Sequence, residues 1–118
     1  MTGQSSPSGS LQAFKAEFFK ALGHPVRIRI LEVLVAGERS VQELQEALAL
    51  DQPVVSQQLA RLRAKNIVKA RKEGTTVRYT IRDVSIRELL AIARRIFDSH
   101  LIDSQTMLRE LRREGRRR

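Results

Sequence analysis

Apolar residues recur every three or four positions over most of the chain, which predicts helices rather than strands. A first helix ends at Gly23 and a second begins at Pro25, because glycine commonly ends helices and proline fits a first helical turn. His24 is expected to cap the second helix, which ends at Gly37. The apolar positions are Leu11, Phe14, Phe18 and Leu22 in the first helix, and Val26, Ile30, Leu31 and Leu34 in the second.

Two short helices separated by a tight turn follow. Ser40 and Glu43 have the spacing of a capping box, in which each side chain accepts a hydrogen bond from the other residue's backbone N–H. A third helix therefore begins there and ends near Ala49, and Asp51 is placed to cap a fourth. The apolar side of the fourth helix is Val55, Leu59 and Leu62. This arrangement is typical of a helix-turn-helix, whose second helix lies in the major groove of DNA.

The hydrophobic period becomes an alternation after residue 76. Val77, Tyr79 and Ile81 alternate with polar residues, and the run 67–72 precedes them across a turn that contains Gly74. Two strands around such a turn form a hairpin. A helix-turn-helix followed by a hairpin is a winged helix-turn-helix, so the predicted fold is mainly α with a small β-hairpin.

A long last helix is predicted from Ser85, which has capping-box spacing to Glu88, as far as about Arg113. At about 1.5 Å per residue it would be roughly 40 Å long, more than so small a domain can cover. Its apolar stripe therefore needs a partner, and the simplest is a second copy of the chain. We predict a dimer through the first and last helices, with interface residues Phe14, Phe18, Leu89, Ala93, Ile96, Phe97, His100, Leu101, Met107 and Leu111.

The charge of the chain points to an anionic partner. Lys and Arg number 22 against 13 Asp and Glu, and the net charge is +9. A small domain this basic usually binds a polyanion, and nucleic acid is the first candidate. A membrane surface is the rival, but no helix combines a basic face with a broad apolar one, and no apolar run approaches the ~20 residues of a membrane span. No signal peptide is visible, so a cytoplasmic protein is expected.

Composition also excludes several chemistries. The chain has no Cys and 2 His, which excludes disulfides, thiolate metal sites and thiol catalysis. No Gly-rich phosphate loop, nucleophile elbow or paired-carboxylate site is present, so we expect neither an enzyme nor a cofactor. Residues 1–10 have little to bury and are predicted to be disordered. Residues 11–114 form the DNA-binding and dimerisation domain, and 115–118 a basic tail.

The side of the fourth helix opposite its apolar stripe is suited to a groove. Gln57 points most nearly away from the core, with Arg61 beside it and Ser56 at the flank. Ala60 has a small side chain, so the backbone of this face can approach a groove closely. Gln bonds bidentately to an adenine edge, and Arg to a guanine edge or a phosphate. A solvated face that merely lacks acids is the alternative. The predicted DNA-binding residues of this helix are Gln52, Pro53, Val54, Ser56, Gln57, Gln58 and Arg61.

Phosphate contacts are predicted for the hairpin, because its cations and hydroxyls suit a DNA backbone. For each hairpin residue, a role that only keeps the protein soluble is an equal alternative. Ser40, which precedes the third helix, has capping as its main role. The predicted set is Ser40, Arg71, Lys72, Thr75, Thr76 and Arg78. Asp98, His100 and Glu114 are compatible with a metal, but a lone His in an interface stripe is more often packed or hydrogen-bonded, so no metal site is predicted.

From about Phe14 to Leu111 the chain resembles the arsenic-repressor-like (ArsR/SmtB) transcriptional regulators. The likeness rests on "ALGHPVRIRILEVL" in the second helix, "SVQELQEALALDQPVVSQQLARLRAKNIV" across the helix-turn-helix and "ARKEGTTVRYTI" in the hairpin. It implies a homodimeric winged-helix repressor that binds palindromic operators and usually releases DNA when an inducer binds. It also implies that Ser56, Gln57 and Gln58 lie where the family reads DNA.

The sensing motifs of that family are not matched. Arsenic-sensing members have Cys-Val-Cys in the third helix, where this chain reads SVQEL at 40–44, and zinc-sensing members have a second His where it has Leu111. The effector is therefore open: an organic molecule, another protein, or none. The leading hypothesis is a homodimeric, sequence-specific repressor that binds double-stranded DNA. The alternatives are a winged-helix module that docks an acidic protein and a nonspecific architectural DNA binder.

Overall fold

The computed structural model of the protein describes residues 7–117, which form five helices and three strands. In chain order these elements are α1 (Pro7–Leu22), α2 (Pro25–Val35), β1 (Arg39–Ser40), α3 (Val41–Leu48), α4 (Gln52–Ala64), β2 (Val68–Glu73), β3 (Thr76–Ile81) and α5 (Val84–Arg117). The described chain falls into two compact units, one ending at Asp83 and the other beginning at Val84. The first unit holds the helix-turn-helix and the sheet, and the second is α5.

Both terminal helices are longer than the sequence indicated. Residues 7–10, predicted to be disordered, belong to α1, because Pro7 has a backbone angle that suits a first helical turn. Residues 115–117, predicted to be a tail, continue α5, because arginine favours helix and a cation near the helix C-terminus interacts well with the helix dipole. The rest of the predicted disordered segment, 1–6, and residue 118 lie outside the described residues.

The core of the first unit is aliphatic and comes from four helices and the sheet. Ile30, Leu31 and Leu34 of α2 are fully buried, as the predicted stripe requires. The other buried apolar residues in this core are Ala21, Leu44, Leu48, Val55, Leu59, Leu62, Ile67, Val68 and Ile81. Burial of each such side chain is worth about 1.5–3 kcal/mol, so these contacts hold α4 with its apolar stripe inward.

Local hydrogen bonds define the ends of α2 and α3. Nδ1 of His24 accepts a hydrogen bond from the backbone N–H of Val26 at 3.2 Å, so the predicted cap is present. The capping box of α3 is also formed: the Glu43 N–H donates to Oγ of Ser40 at 3.1 Å, and the Ser40 N–H donates to Oε1 of Glu43 at 2.9 Å. Ala49 then ends α3 in the left-handed conformation, with φ 54°, and turns the chain toward α4.

The cap predicted for α4 is present only in part. Asp51 occupies the N-cap position, but its side chain makes no capping hydrogen bond. Its backbone oxygen instead accepts from the N–H groups of Val54 and Val55, at 3.1 and 3.2 Å. The turn between α3 and α4 is thus closed by the backbone, and the Asp51 carboxylate stays exposed.

The hairpin of β2 and β3 belongs to a three-stranded antiparallel sheet of order β1-β3-β2. Glu73 pairs with Thr76 across the turn, where Gly74 has a φ of 63° that glycine adopts without strain. The strand β1 was not predicted. It pairs Arg39 with Tyr79 and Ser40 with Arg78, and its two residues are too few for a hydrophobic alternation to reveal.

The second unit is a single helix of 34 residues, about 51 Å long. It begins at Val84, so Ser85, predicted as its cap, lies inside the first turn. No helix within residues 7–117 is both long and apolar enough to cross a membrane.

Candidate nucleic-acid interface

The exposed side of α4 carries most of the residues predicted to enter a groove. Gln57 and Arg61 are exposed and Ser56 is half-buried, while the opposite side of the helix is buried in the core. The helix contains no acidic residue, and Arg61 and Arg63 lie in its last turn. An amide, a hydroxyl and a guanidinium are therefore presented without a carboxylate between them, which suits contact with base edges and phosphates.

The first turn of α4 is also open. Gln52 and Pro53 are exposed, and Val54 is exposed although it is apolar. Apolar side chains in a groove pack against the methyl group of thymine. The first turn can therefore add both a polar and an apolar contact to the surface that Gln57 forms.

Gln58 is the exception, because the structure buries it and so does not favour the predicted contact with DNA. The residue is only 8% exposed, and its Oε1 accepts a hydrogen bond from Nε of Arg27 at 2.8 Å. Arg27 also donates from Nη1 to the backbone oxygen of Ala21, at 3.1 Å. The helical wheel placed Gln58 at the flank, but its hydrogen bond with the half-buried Arg27 turns the side chain inward.

The hairpin has two faces with different chemistry. Along β2, Lys69, Arg71 and Glu73 point to one face, and Lys72 points to the other. The register places Arg71 directly opposite Arg78 of β3. We call the face that bears Lys69, Arg71, Glu73, Thr76, Arg78 and Thr80 the outer face of the wing. Lys72 lies on the other face, at its exposed end, and Thr75 and Thr76 are exposed at the tip.

The two arginines of the outer face are paired with carboxylates rather than free. Arg71 donates to Glu38 from both Nε and Nη2, at 3.2 and 2.6 Å, and from Nη2 to Glu73 at 2.8 Å. Arg78 donates from Nη1 to Oε1 of Glu43 at 3.0 Å. The prediction of Arg71 and Arg78 as simple phosphate-contacting cations therefore overlooked three competing anions, because two of them come from outside the hairpin.

These pairs keep the carboxylates ionised. The hydrogen bonds from Arg71 hold the pKa of Glu38 below its usual range, and the same bonds raise the pKa of Arg71. For Glu43 the main cause of a lowered pKa is the hydrogen bond from the backbone N–H of Ser40. Each of these shifts favours the charged form of Glu38, Glu43 and Arg71.

Ser40 acts as a cap and not as a phosphate ligand in this structure. Ser40 is 9% exposed, and its Oγ accepts the hydrogen bond from the Glu43 N–H at the start of α3. A side chain so covered cannot reach a DNA backbone without breaking the cap. The structure therefore favours the capping role of Ser40 over a phosphate contact. The phosphate contacts of Lys72, Thr75 and Thr76 stay predictions.

A cleft beside α4 gathers Arg61 with three cations that were not in the predicted set. Lys20, Arg27, Arg61 and Lys65 line it, and its acidic member is Glu17, whose Oε2 lies 3.7 Å from Nζ of Lys65. These residues come from α1, α2 and the C-terminal end of α4, so no periodicity connects them. The positive charge that borders the exposed side of α4 is larger than α4 alone supplies.

The residues predicted for a dimer interface differ in exposure. In α5, Ile96, Phe97, His100, Leu101, Met107 and Leu111 are exposed, and Leu89 and Ala93 are half-buried. In α1, Phe14 is exposed, whereas Phe18 is half-buried with its ring edge-on to Phe19 at a centroid distance of 5.5 Å. Ile92 and Leu108 of α5, which were not in the predicted set, are also exposed.

The residues considered for a metal are not brought together. Within the described part of the chain, no three His, Cys, Asp or Glu side chains lie close enough to hold an ion. Asp98 and His100 are two positions apart on one helix and so point to nearly opposite sides, and Glu114 is about 20 Å further along it.

Comparison with known proteins agrees with the geometry. The model of the bacterial regulatory protein arsR family matches residues 24–70, which run from the cap of α2 into β2. The HTH-type transcriptional regulator Rv0081 of Mycobacterium tuberculosis is 46% identical over 109 residues, covering 92% of this chain and 96% of that protein. The biofilm growth-associated repressor of Xylella fastidiosa is 37% identical over 82 residues, covering 70% of this chain and 72% of that protein.

Solved structures show the same fold. The crystal structure of Rv0081 superposes with a TM-score of 0.73 and covers 85% of this chain and 98% of its own. The solution structure of the homodimeric winged helix-turn-helix DNA-binding domain of Mb0332 from Mycobacterium bovis superposes with a TM-score of 0.77 at 34% identity, covering 86% of this chain and 94% of its own.

Fold and surface together define a winged helix-turn-helix DNA-binding domain. The chain belongs to the arsR family of bacterial regulatory proteins, and it is a transcriptional regulator rather than an enzyme.

Proposed function

We propose that this regulator is a homodimeric repressor that binds a palindromic operator, with one α4 in the major groove of each half-site. The observation that carries the proposal is the exposed side of α4, where Gln57 and Arg61 are accessible on a helix that contains no acidic residue. A dimer with two-fold symmetry reads two half-sites about one helical turn apart, so a palindrome is the matching target. Repression is the mode of control we propose, because a relative from Xylella fastidiosa is named as a repressor.

The contacts divide into two classes. Gln57 has the amide geometry to bond N6 and N7 of adenine, and Arg61 can reach a guanine edge or a phosphate. Ser56, at the flank of the same helix, suits a backbone phosphate. Lys20 and Lys65 border this surface and supply charge that attracts DNA of any sequence.

The apolar side of α5 supports the dimer. Phe97, Met107 and Leu111 are each more than half exposed, and large apolar side chains in such a stripe usually cover a partner. Helices with apolar residues at intervals of three and four pack side by side, and a second copy presents the same stripe. The homodimeric Mycobacterium bovis neighbour gives independent support.

The proposal is tested by selecting duplexes from a random library with the purified protein and titrating the enriched sequence against a scrambled one. The proposal predicts an inverted repeat, bound at least 10³-fold more tightly than the scrambled duplex at physiological salt, in the range typical of specific regulators. Equal affinity for both duplexes would make the protein an architectural binder. Binding to neither would leave a module that docks an acidic protein.

A further inference from the structure

The outer face of the wing is electrically balanced, which is unusual for a surface that is expected to approach DNA in a protein of net charge +9. Lys69, Arg71 and Arg78 are its cations. Glu73 lies on the same face, and Glu38 and Glu43 reach it from the loop before β1 and from α3. Three carboxylates therefore face three cations, so the outer face carries no net charge, while Lys72 lies on the other face outside this balance.

Arg71 is the most firmly held of these cations. It forms a two-pronged contact with Glu38 through Nε and Nη2, and Nη2 also reaches Glu73. Bidentate pairs between arginine and carboxylate are stronger and more directional than single contacts. A phosphate that took the place of Glu38 would have to break both of its hydrogen bonds with Arg71. It would also leave the Glu38 carboxylate unpaired next to a DNA strand.

Arg78 is held by a second route. Its Nη1 contacts Oε1 of Glu43, the same oxygen that closes the capping box of α3, and its Nε lies 3.9 Å from Glu38 and 3.8 Å from Glu73. The side chain is less than one-third exposed, with 28% accessible. Moving it to a phosphate would therefore disturb the start of α3 as well as the ion pairs.

We infer that Glu38, with Glu73 and Glu43, limits affinity that is independent of sequence by holding Arg71 and Arg78 off the DNA backbone. The inference rests on the proposed function and goes beyond it, since it assigns a role to acidic residues that touch no DNA. Phosphate contacts raise affinity for every sequence alike. Withholding two of them weakens binding to operator and random sites by the same factor, and so limits how tightly the large excess of random genomic sites holds the protein.

The decisive experiment measures the salt dependence of binding to a random duplex for the wild type, Glu38→Gln and Glu38→Ala. Release of Arg71 should add about one phosphate contact, which steepens the slope of log K against log salt by about 0.9. Affinity for the random duplex at physiological salt should rise roughly two- to fivefold, the range that one exposed charge contact gives. Operator affinity should rise by the same factor, so the ratio of specific to nonspecific binding should stay unchanged.

Two controls separate release of Arg71 from a simple change of charge. Glu46→Gln removes the same charge from an exposed position of α3 outside the network and should leave the slope unchanged. In an Arg71→Gln background, the steepening caused by Glu38→Gln should fall by at least half. An unchanged or shallower slope in folded Glu38→Gln and Glu38→Ala proteins would overturn the inference and make the network a purely structural clamp.

A readout without DNA keeps this inference distinct from the proposed function. The salt concentration that elutes each variant from immobilised heparin reports free surface cations directly. Glu38→Gln should elute later than both wild type and Glu46→Gln, even if no operator exists. Co-elution of all three proteins would refute the role of Glu38, whereas late elution without operator binding would refute only the repressor.

Discussion

Nε of Arg27 donates a hydrogen bond to Oε1 of Gln58 at 2.8 Å and so joins the start of α2 to the middle of α4. The same guanidinium donates to the backbone oxygen of Ala21 in the last turn of α1, at 3.1 Å. One side chain thus ties three helices together. Because the side chain of Gln58 points into the protein and bonds to Arg27, its neighbour Gln57 is the glutamine of this pair that remains available to DNA.

The first prediction separates these two adjacent glutamines. Gln57→Ala should cost about 1–3 kcal/mol of affinity on the preferred operator and relax base preference at one position of each half-site. Gln58→Ala should keep the base preference but lower the free energy of unfolding by about 1–3 kcal/mol, because Arg27 loses a buried acceptor. Operator titration and urea unfolding of both variants measure the two effects.

Gln105→Ala, at an exposed position of α5, is the matched control and should change neither quantity. Equal weakening of Gln57→Ala on operator and random duplexes would contradict a base contact. A loss of base preference in Gln58→Ala at unchanged stability would contradict the inward role of that residue.

The second prediction concerns the apolar stripe of α5. Phe97→Glu places a charge on a side chain that is 67% exposed in the single chain and should yield monomers with much weaker operator binding. Ile102→Glu is the control, because Ile102 is 61% exposed but lies about 140° around the helix from Phe97. Sedimentation velocity should show a dimer for Ile102→Glu. A dimeric Phe97→Glu protein would place the interface elsewhere.

The third prediction is a pH dependence of stability caused by Glu38. Its pKa is lower in the folded protein than in the unfolded chain, so its ionised form stabilises the fold above the unfolded pKa, and this contribution is lost as the pH falls through the folded pKa. Wild type should therefore be more stable than Glu38→Ala by a constant amount from about pH 8 to about pH 6, and the difference should shrink toward pH 4 and below. Thermal unfolding across this range measures it. A difference that grew on acidification would contradict the ion pair.

Much of the fold was predictable because it is local. The capping box of Ser40 and Glu43, the first-turn Pro25 and the alternation of Val77, Tyr79 and Ile81 each involve residues within a few positions, and the structure confirms all three. The strand β1 escaped prediction because two residues show no period. The cap at Ser85 was misplaced because neighbouring residues compete for a helix start.

The site was less predictable, since its decisive contacts link distant parts of the chain. The wheel located Gln57 correctly on the exposed side of α4, but it could not show that Arg27, 31 positions earlier, turns Gln58 inward. It likewise could not show that Glu38 meets Arg71 across 33 positions. Periodicity reports which side of an element is buried, whereas pairing between polar side chains depends on how the elements pack.

The central claim, that two α4 helices of one dimer occupy successive grooves, is tested most directly by changing the spacing of the selected operator. Insertion of about five base pairs between the half-sites rotates one of them by roughly half a helical turn away from the face the dimer contacts. We predict that the affinity for this altered operator falls to the level of a random duplex. An insertion of about one full turn should not restore the affinity, because it places the half-sites too far apart for the same rigid dimer. Undiminished affinity for the half-turn insertion would contradict paired binding and leave each chain acting alone.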